Sequence, residues 1–276
     1  MIKIMVDSSS DCRKEDGFFD ICVPLTVSIG GKDYRSGVDL SADEFYELLT
    51  TAQEFPKTSQ PSPEAFAQEF EKIKADGDEV ICLTLSSALS GTYQSAVIAK
   101  AMADYDGIYI VDTLGVTHMV GVLAKFAKEQ AAVGVSAPEI VRQCEELKGR
   151  IKVLAGVDTL EYLYKGGRLS RASAAVGEIA GIKPIITLTP EGTVTNAGKA
   201  IGIPRAIQTI LTKLKSSQLD DRFPLYTLCT CGTENLEVLE KKLAAAGFES
   251  AGRLQVGSAI GAHAGPGVYG ILFVTK

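Results

Sequence analysis

One stretch of the sequence, residues 80–96, constrains the fold more than any other. It opens with an apolar run over residues 80–85, which is typical of a buried strand. Small hydroxyl residues follow, and a helix is predicted to begin at Ser90 and Gly91. A strand that enters a helix through such a loop directs backbone N–H groups and the positive end of the helix dipole at one point. The stretch therefore predicts a pocket for an anionic group, with the hydroxyls of Ser90 and Thr92 as further donors.

Helix capping explains some of the hydroxyl side chains in the first half of the chain. Ser90 has an alternative role as the N-cap of its helix, where a serine stabilises a helix by about 1 kcal/mol. Ser62 is explained in this way, because Pro63 follows it at the first helical position. Thr58 lies in an extended segment before Pro61, where a hydroxyl has no helix to cap. Thr58 is therefore a candidate site residue.

The order of the elements predicts an α/β protein with two domains. In residues 1–157, buried strands alternate with amphipathic helices, as in a mostly parallel sheet with helices on both faces. The pattern changes after that point, since residues 184–188 and 194–197 flank a turn and predict an antiparallel pair. We therefore expect an N-terminal α/β domain, residues 1–157, and a C-terminal α+β domain with a mixed sheet, residues 158–276.

Four segments give local predictions within these domains. Residues 21–28 and 33–36 are expected to form a hairpin around the glycines at positions 30 and 31. Residues 151–157 are expected to form the last strand of the first domain. Residues 172–180 are rich in small side chains and are expected to form a helix.

One of the two histidines lies among glycines. Residues 257–267 contain glycine at positions 257, 261, 265 and 267, and we interpret the segment as a loop that carries His263. A histidine in a loop has no helix face to pack on, which favours a polar site residue. A buried structural histidine that bonds a backbone carbonyl is the equal alternative. His118 lies in an apolar helical segment and is interpreted as structural.

Charge and composition exclude several classes of partner. A formal net charge of −6 gives no basic surface for nucleic acid and argues against binding to an anionic membrane. No run approaches the roughly 18 apolar residues of a membrane helix, and residues 1–7 are typical of a strand, so we expect a cytoplasmic protein. The six cysteines are scattered, which favours reduced thiols, and two histidines are too few to favour a metal site.

The order of three residue types also permits an enzyme. Ser90, an aspartate (Asp112 or Asp158) and His263 follow one another in the order used by α/β-hydrolases. The nucleophile elbow of those enzymes has a glycine two residues before the serine and another two residues after it. Neither position holds glycine here. A serine hydrolase that uses Ser90 and His263 is therefore the alternative hypothesis.

Seven motifs spread over the whole chain resemble the DegV family. They lie at residues 7–11, 58–62, 86–96, 112–113, 160–168, 181–185 and 261–267. The combination of Thr-Ser-Gln-Pro-Ser at residues 58–62 with Ser-Gly-Thr at residues 90–92 is the most specific part of the resemblance. DegV proteins are two-domain α/β proteins that bind fatty acids, and some serve as the acyl-carrying subunit of a bacterial fatty acid kinase.

The resemblance implies a ligand and a set of site residues. The ligand would be a long-chain fatty acid such as palmitate, held in a tunnel between the domains, with no cofactor and no catalytic activity of the chain itself. Thr58 and Ser90 would hydrogen-bond the carboxylate, and Arg168 and His263 would stand near it. The helix start at Gly91 and Thr92 completes the expected head-group site.

The resemblance also implies a possible protein partner, the catalytic subunit of a fatty acid kinase. Family members that pair with this kinase often carry a run of arginine and lysine just after the hairpin of the second domain. Residues 196–205 occupy that place here, and their basic residues are Lys199 and Arg205. The sequence therefore supports fatty acid binding more strongly than docking on a kinase.

Overall fold

The computed structural model describes residues 1–170 and 181–276 of the chain. The helix expected over residues 172–180 lies outside these ranges. The strands described are β1 (Ile2–Asp7), β2 (Ile21–Val23), β3 (Thr26–Ile29), β4 (Lys32–Arg35), β5 (Lys57–Ser59), β6 (Glu79–Thr84), β7 (Ile108–Asp112), β8 (Ile151–Gly156), β9 (Ile182–Leu188), β10 (Val194–Ile201), β11 (Tyr226–Cys229), β12 (Arg253–Gln255) and β13 (Tyr269–Val274). The helices described are α1 (Ala42–Thr51), α2 (Pro63–Asp76), α3 (Thr92–Ala103), α4 (His118–Ala132), α5 (Ala137–Lys148), α6 (Glu161–Lys165), α7 (Ile203–Lys215), α8 (Glu234–Ala245) and α9 (Ser258–Ala264).

The first main sheet is parallel and has the strand order β2-β1-β6-β7. Side chains alternate along its strands, so Ile81 and Leu83 pack towards α4 and α5, whereas Val80 and Cys82 pack towards α2 and α3. All four are fully buried. A strand covered on both faces needs apolar side chains at successive positions, which explains the unbroken apolar run in the sequence. The predicted parallel sheet is confirmed.

The second main sheet is mixed and has the strand order β10-β9-β8-β13-β11-β12. Its neighbours pair antiparallel except for β11 and β12, which are parallel. Helices α7 and α8 cover one face through buried leucine and isoleucine side chains. The other face belongs to the same apolar cluster as α4, α5 and the first sheet. The predicted two-domain α/β fold class and its mixed C-terminal sheet are confirmed.

The strand β8 was expected in the first domain, and this assignment of the strand is wrong. It pairs with β13 over its whole length and with β9 near its end, so it is a central strand of the second sheet. The apolar run of β8 would fit either sheet, because both bury their central strands, and the sequence holds no signal for its partner. The domain boundary after residue 157 stays a prediction.

A small third sheet, with the order β4-β3-β5, lies beside the two main sheets. The predicted hairpin is confirmed for β3 and β4, whose turn glycines have φ angles of 59° and 74°. The expected single strand over residues 21–28 is instead two strands, because β2 pairs with β1 and β3 with β4. The break falls at Pro24, which has no N–H to donate to a ladder. Sequence analysis missed β5, which carries Thr58.

The glycine-rich segment of residues 257–267 contains the helix α9, so the predicted loop is wrong there. The helix begins after Gly257 and ends at Gly265, whose φ of 77° suits glycine. Within the helix, a Cβ at Gly261 would collide with the hydroxyl of Tyr46. The glycines therefore bound a short helix and allow its close packing.

Within residues 1–170 and 181–276, every helix is too short or too polar to cross a lipid bilayer.

The N-cap predicted at Ser62 is present in the structure. The side chain of Ser62 accepts a hydrogen bond from the backbone N–H of Ala65 at 3.3 Å, at the start of α2.

The buried carboxyl group of Asp7 joins the carboxyl ends of β1 and β6. Its Oδ2 accepts from the backbone N–H of Leu85 at 2.8 Å, and its Oδ1 accepts from the N–H of Ser9 at 2.9 Å. Asp7 has no exposed surface, and this burial raises its pKa. Asp7 therefore fixes the start of the loop that leads from β6 towards Ser90.

We predict that Asp7→Ala lowers the free energy of unfolding by about 1–3 kcal/mol, since two buried N–H groups would lose their acceptor. Urea denaturation measures the change. The control is Asp106→Ala at an exposed position, which should stay within about 0.5 kcal/mol of the parent. Equal stability of the two variants would contradict the assigned role of Asp7.

Candidate functional site

A large apolar cavity lies between the second main sheet and the loops that follow β6 and β7. The space within its lining is about 860 Å³ when the part of its mouth that is open to solvent is included. Aliphatic side chains from both halves of the chain line it, among them Leu85, Val116, Ala155, Ile186 and Leu228. An apolar ligand, or the apolar part of a larger one, is the occupant that such walls favour.

Four of the predicted site residues line this cavity: Thr58, Ser90, Arg168 and His263. They come from β5, the loop before α3, the segment after α6, and α9. Two further threonines line the cavity, but their hydroxyls are already used within the protein. Thr117 donates to the carboxylate of Asp11 at 2.6 Å, and Thr187 donates to the carbonyl of Val153 at 2.7 Å.

A hydrogen bond of 2.7 Å joins Oγ1 of Thr58 to Nε2 of His263. The two residues are 205 positions apart in the sequence. The other ring nitrogen, Nδ1, is buried and has no hydrogen-bond partner among the described residues. Gly166 packs directly against it, so that a Cβ at this position would collide with Nδ1. The imidazole of His263 is therefore held between Thr58 and the backbone at Gly166.

The surroundings of His263 keep its imidazole neutral. Burial, together with the positive charge of Arg168, lowers the pKa of His263 from 6.5 to about 4. A neutral imidazole carries one proton, and an unpaired buried N–H is rarer in proteins than an unpaired buried acceptor. We therefore assign the proton to Nε2, which donates to Thr58. The hydroxyl proton of Thr58 is then free to be donated to a ligand.

Ser90 lies on the loop that precedes α3, and its neighbours hold it in place. Its Oγ is 2.9 Å from Oγ1 of the fully buried Thr92, and it accepts from the N–H of Thr92 at 3.4 Å. The N-cap position of α3 belongs to Gly91 and not to Ser90. The simple capping role therefore accounts for Ser90 only in part. Gly91 and Thr92 stand behind Ser90 and are not among the residues that line the cavity.

Gly91 brings the two most specific motifs together. A Cβ at Gly91 would collide with the side-chain amide of Gln60, which in turn donates to Oγ of Ser95 at 2.9 Å. The loop that follows Thr58 thus packs on the first turn of α3. Sequence analysis missed Gln60 and Gly166 as positioning residues, because each acts on a segment far away in the chain.

Arg168 supplies the positive charge at this end of the cavity. Its Nε donates to the carbonyl of Leu89 at 3.0 Å, and its Nη1 donates to the carbonyl of Gly166 at 2.5 Å. Burial lowers the pKa of Arg168, although a guanidinium stays charged in proteins. The side chain therefore ties the loop before Ser90 to the segment beside His263, and its charge favours an anion there.

The residues of the hydrolase alternative do not form a triad in the structure. Asp112 accepts hydrogen bonds from the backbone N–H groups of Ser87 and Leu114, and Asp158 pairs with Lys183 at 2.8 Å. The polar contact of His263 is with Thr58. An oriented aspartate–histidine–serine relay needs these bonds to run through the histidine. Within the described ranges, His, Cys, Asp and Glu side chains also form no group of three that could hold a metal ion.

The structure is thus a two-domain α/β protein with a cavity that has aliphatic walls and polar side chains at one end. A family model described as an uncharacterised protein of the DegV family matches residues 1–276. A DegV domain-containing protein of Caldanaerobacter subterraneus is 38% identical, and the match covers 100% of this chain and 99% of the relative. The chain belongs to the DegV family.

Two solved structures resemble the chain over its whole length. A DegV family protein from Thermus thermophilus, named for its fatty acid binding, has 32% sequence identity and a TM-score of 0.88. A protein from Eubacterium ventriosum, described as binding stearic acid, has 27% identity and a TM-score of 0.86. Each match covers 100% of this chain and 99% of the other.

We predict that the imidazole of ligand-free His263 titrates near pH 4 in NMR spectra. Because this pKa is depressed from 6.5, His263 contributes stability above pH 6.5 that is lost as the pH falls through 4. Asp11 has the opposite effect over a similar range, since burial raises its pKa to about 7. The comparison with His263→Gln isolates the histidine.

Between pH 4 and 6.5, the free energy of unfolding of the parent should rise relative to that of His263→Gln by up to about 1.4 kcal/mol per pH unit. Denaturant unfolding at several pH values measures this difference. Titration of His263 near pH 6.5, with parallel stability curves for the two proteins, would show that its surroundings are not as described.

Proposed function

We propose that the protein binds a long-chain fatty acid, with the acyl chain in the apolar cavity and the carboxylate at Thr58 and Ser90. The observation that carries this proposal is the cavity itself, with aliphatic walls and the residues Thr58, Ser90, Arg168 and His263 in its lining. The similar structures from Thermus thermophilus and Eubacterium ventriosum support it, since both are named for fatty acid binding. Palmitate or stearate represents the proposed class of ligand.

The energetics favour a ligand of this kind. Burial of about fifteen methylene groups, at about 0.8 kcal/mol each, offers up to about 12 kcal/mol. Ordering of the acyl chain and the loss of its overall motion oppose binding by several kcal/mol. The remainder is enough for tight retention, provided that the carboxylate is not left unpaired.

The carboxylate needs donors because an unpaired buried charge is strongly disfavoured. The hydroxyls of Thr58 and Ser90 are the proposed direct donors, and the neutral His263 orients Thr58. Arg168 provides a compensating charge while its own donors hold backbone carbonyls. All four side chains are half-buried and not sealed off, which leaves the head group within reach of a second protein.

We predict that Ser90→Ala and Thr58→Val each weaken fatty acid binding about 10- to 100-fold, since each removes one hydrogen bond to a charged acceptor. Mass spectrometry of the purified protein and titration with a fluorescent fatty acid measure retention and affinity. The control is Ser87→Ala on the same loop, because Ser87 is exposed and does not line the cavity.

Unchanged lipid content in both site variants would overturn the proposed head-group site. The same proteins test the alternative function. Esterase activity on short acyl esters that Ser90→Ala abolishes would favour the serine hydrolase. We propose instead a carrier without catalytic activity of its own.

We further propose that the protein works in the bacterial cytoplasm and presents the carboxylate to the catalytic subunit of a fatty acid kinase, which would form an acyl phosphate. All six cysteines are free thiols, which fits a reducing compartment. Lys199 on β10 and Arg205 in the first turn of α7 are both exposed and are the proposed docking charges.

We predict that the loaded protein, with ATP and a bacterial fatty acid kinase catalytic subunit, yields acyl phosphate that hydroxylamine traps. Lys199→Glu combined with Arg205→Glu should slow this reaction about tenfold, because reversal of surface charge lowers the association rate. Lys215→Glu, at the exposed far end of α7, is the control and should react like the parent. A parent protein that stays loaded and is never phosphorylated would refute the kinase role alone.

A further inference from the structure

A second, smaller cavity adjoins the main one. It spans about 340 Å³, including the part that is open to solvent, and lies against β8, the end of β9 and the loop that follows β7. Thr58, Ser90, Arg168 and His263, which line the main cavity, take no part in its lining. The second cavity therefore lies away from the proposed head group.

Three residues line both cavities: Val153, Thr187 and Leu188. A side chain with a cavity on each side is a partition between them. Val153 belongs to β8, and the other two residues end β9. The partition is thus made where these two strands of the second sheet run side by side.

The ladder between β8 and β9 is short, and it stops just before this partition. Its register pairs Ala155 with Ile186 and Gly156 with Ile185. If the antiparallel ladder continued, Val153 would stand opposite Leu188. Instead the side chain of Thr187 donates to the carbonyl of Val153 at 2.7 Å. The backbone ladder between β8 and β9 therefore ends at this point, and side chains lie between the two strands beyond it.

The inner lining of the second cavity is suited to hydrocarbon. Leu114, Met119 and Ile151 line it together with the partition, Thr189 and the exposed Pro190. Two lysines also border it, and each has its ammonium group bound to a backbone carbonyl. Lys148 donates to the carbonyl of Asp112 at 2.8 Å, and Lys152 donates to that of Gly149 at 2.7 Å. Their aliphatic stems can therefore cover apolar surface while the charges stay satisfied.

We propose that the second cavity is an extension of the acyl site, and that Val153 and Leu188 form a partition which sets the longest acyl chain the protein holds. This inference rests on the proposed fatty acid binding. A chain that fills the main cavity meets the partition with its methyl end. A longer chain must displace these two side chains to place its last carbons beside Met119 and Ile151.

The test compares palmitic acid with arachidic acid, which is longer by four methylenes. In Leu188→Ala and in Val153→Ala the partition is cut back, and each methylene that enters the second cavity should tighten binding about fourfold. We expect the affinity for arachidic acid relative to palmitic acid to rise about tenfold or more. Competition titration with a fluorescent fatty acid measures both affinities.

Two further variants make the test specific. Leu228→Ala widens the main cavity away from the partition, because Leu228 lies on β11, pairs with Gly270 and lines the main cavity alone, so it should not favour arachidic acid. Gly149→Leu should narrow the second cavity, because Gly149 lines it, a Cβ there meets nothing within 4 Å, and its φ of −68° suits any residue. In the background of Leu188→Ala, this narrowing should abolish the gain.

The outcomes separate the two proposals. A parent protein that binds neither fatty acid would overturn the proposed function itself. A parent that binds palmitic acid, with variants of the partition that show no shift in chain-length preference, would overturn the extension alone. A gain that persists in Leu188→Ala with Gly149→Leu would also overturn it, because the added carbons would then lie elsewhere.

Discussion

The site depends on one physical requirement, which is that the polar side chains at one end of an otherwise apolar cavity must be hydrogen-bonded. A buried hydroxyl and a buried imidazole need hydrogen-bond partners there, and Thr58 and His263 share one hydrogen bond of 2.7 Å. To meet, they need the small third sheet on one side and the short helix α9 on the other. The neutral state of His263 follows from the same burial. Geometry and protonation at this end of the cavity thus have one common cause.

The sequence predicted the architecture where the burial of an element leaves a periodic pattern. The apolar run of β6 and the turn between β9 and β10 are such cases, and the structure has both. The prediction from the sequence failed where a contact between distant segments decides the structure of an element. The partner of β8 is set by its place in the second sheet. The helix α9 is only seven residues long and lies between glycines that, in a single sequence, are typical of a loop.

In the candidate site, too, residues with a local sequence signal could be predicted, and residues that act through distant contacts could not. Thr58 could be singled out because its hydroxyl has no local task, and Ser90 because it stands where a strand enters a helix; both line the cavity. Gln60 and Gly166 carry no such signal. Their importance comes from a packed side-chain amide in one case and from the absence of a side chain in the other. Neither property can be read without the segment that each one contacts.

The main cavity also bears on how long the chain survives in a cell. The side chains that line the cavity have no protein neighbour on its side, and a bound acyl chain would supply dispersion contacts to the second sheet and to the loops after β6 and β7 at once. An occupant at a hundredfold excess over its dissociation constant stabilises the native state by about 2.7 kcal/mol. Proteases act on the transiently opened chain, so a loaded molecule would outlast an empty one. Turnover of the polypeptide would then follow the supply of lipid, with no separate sensor.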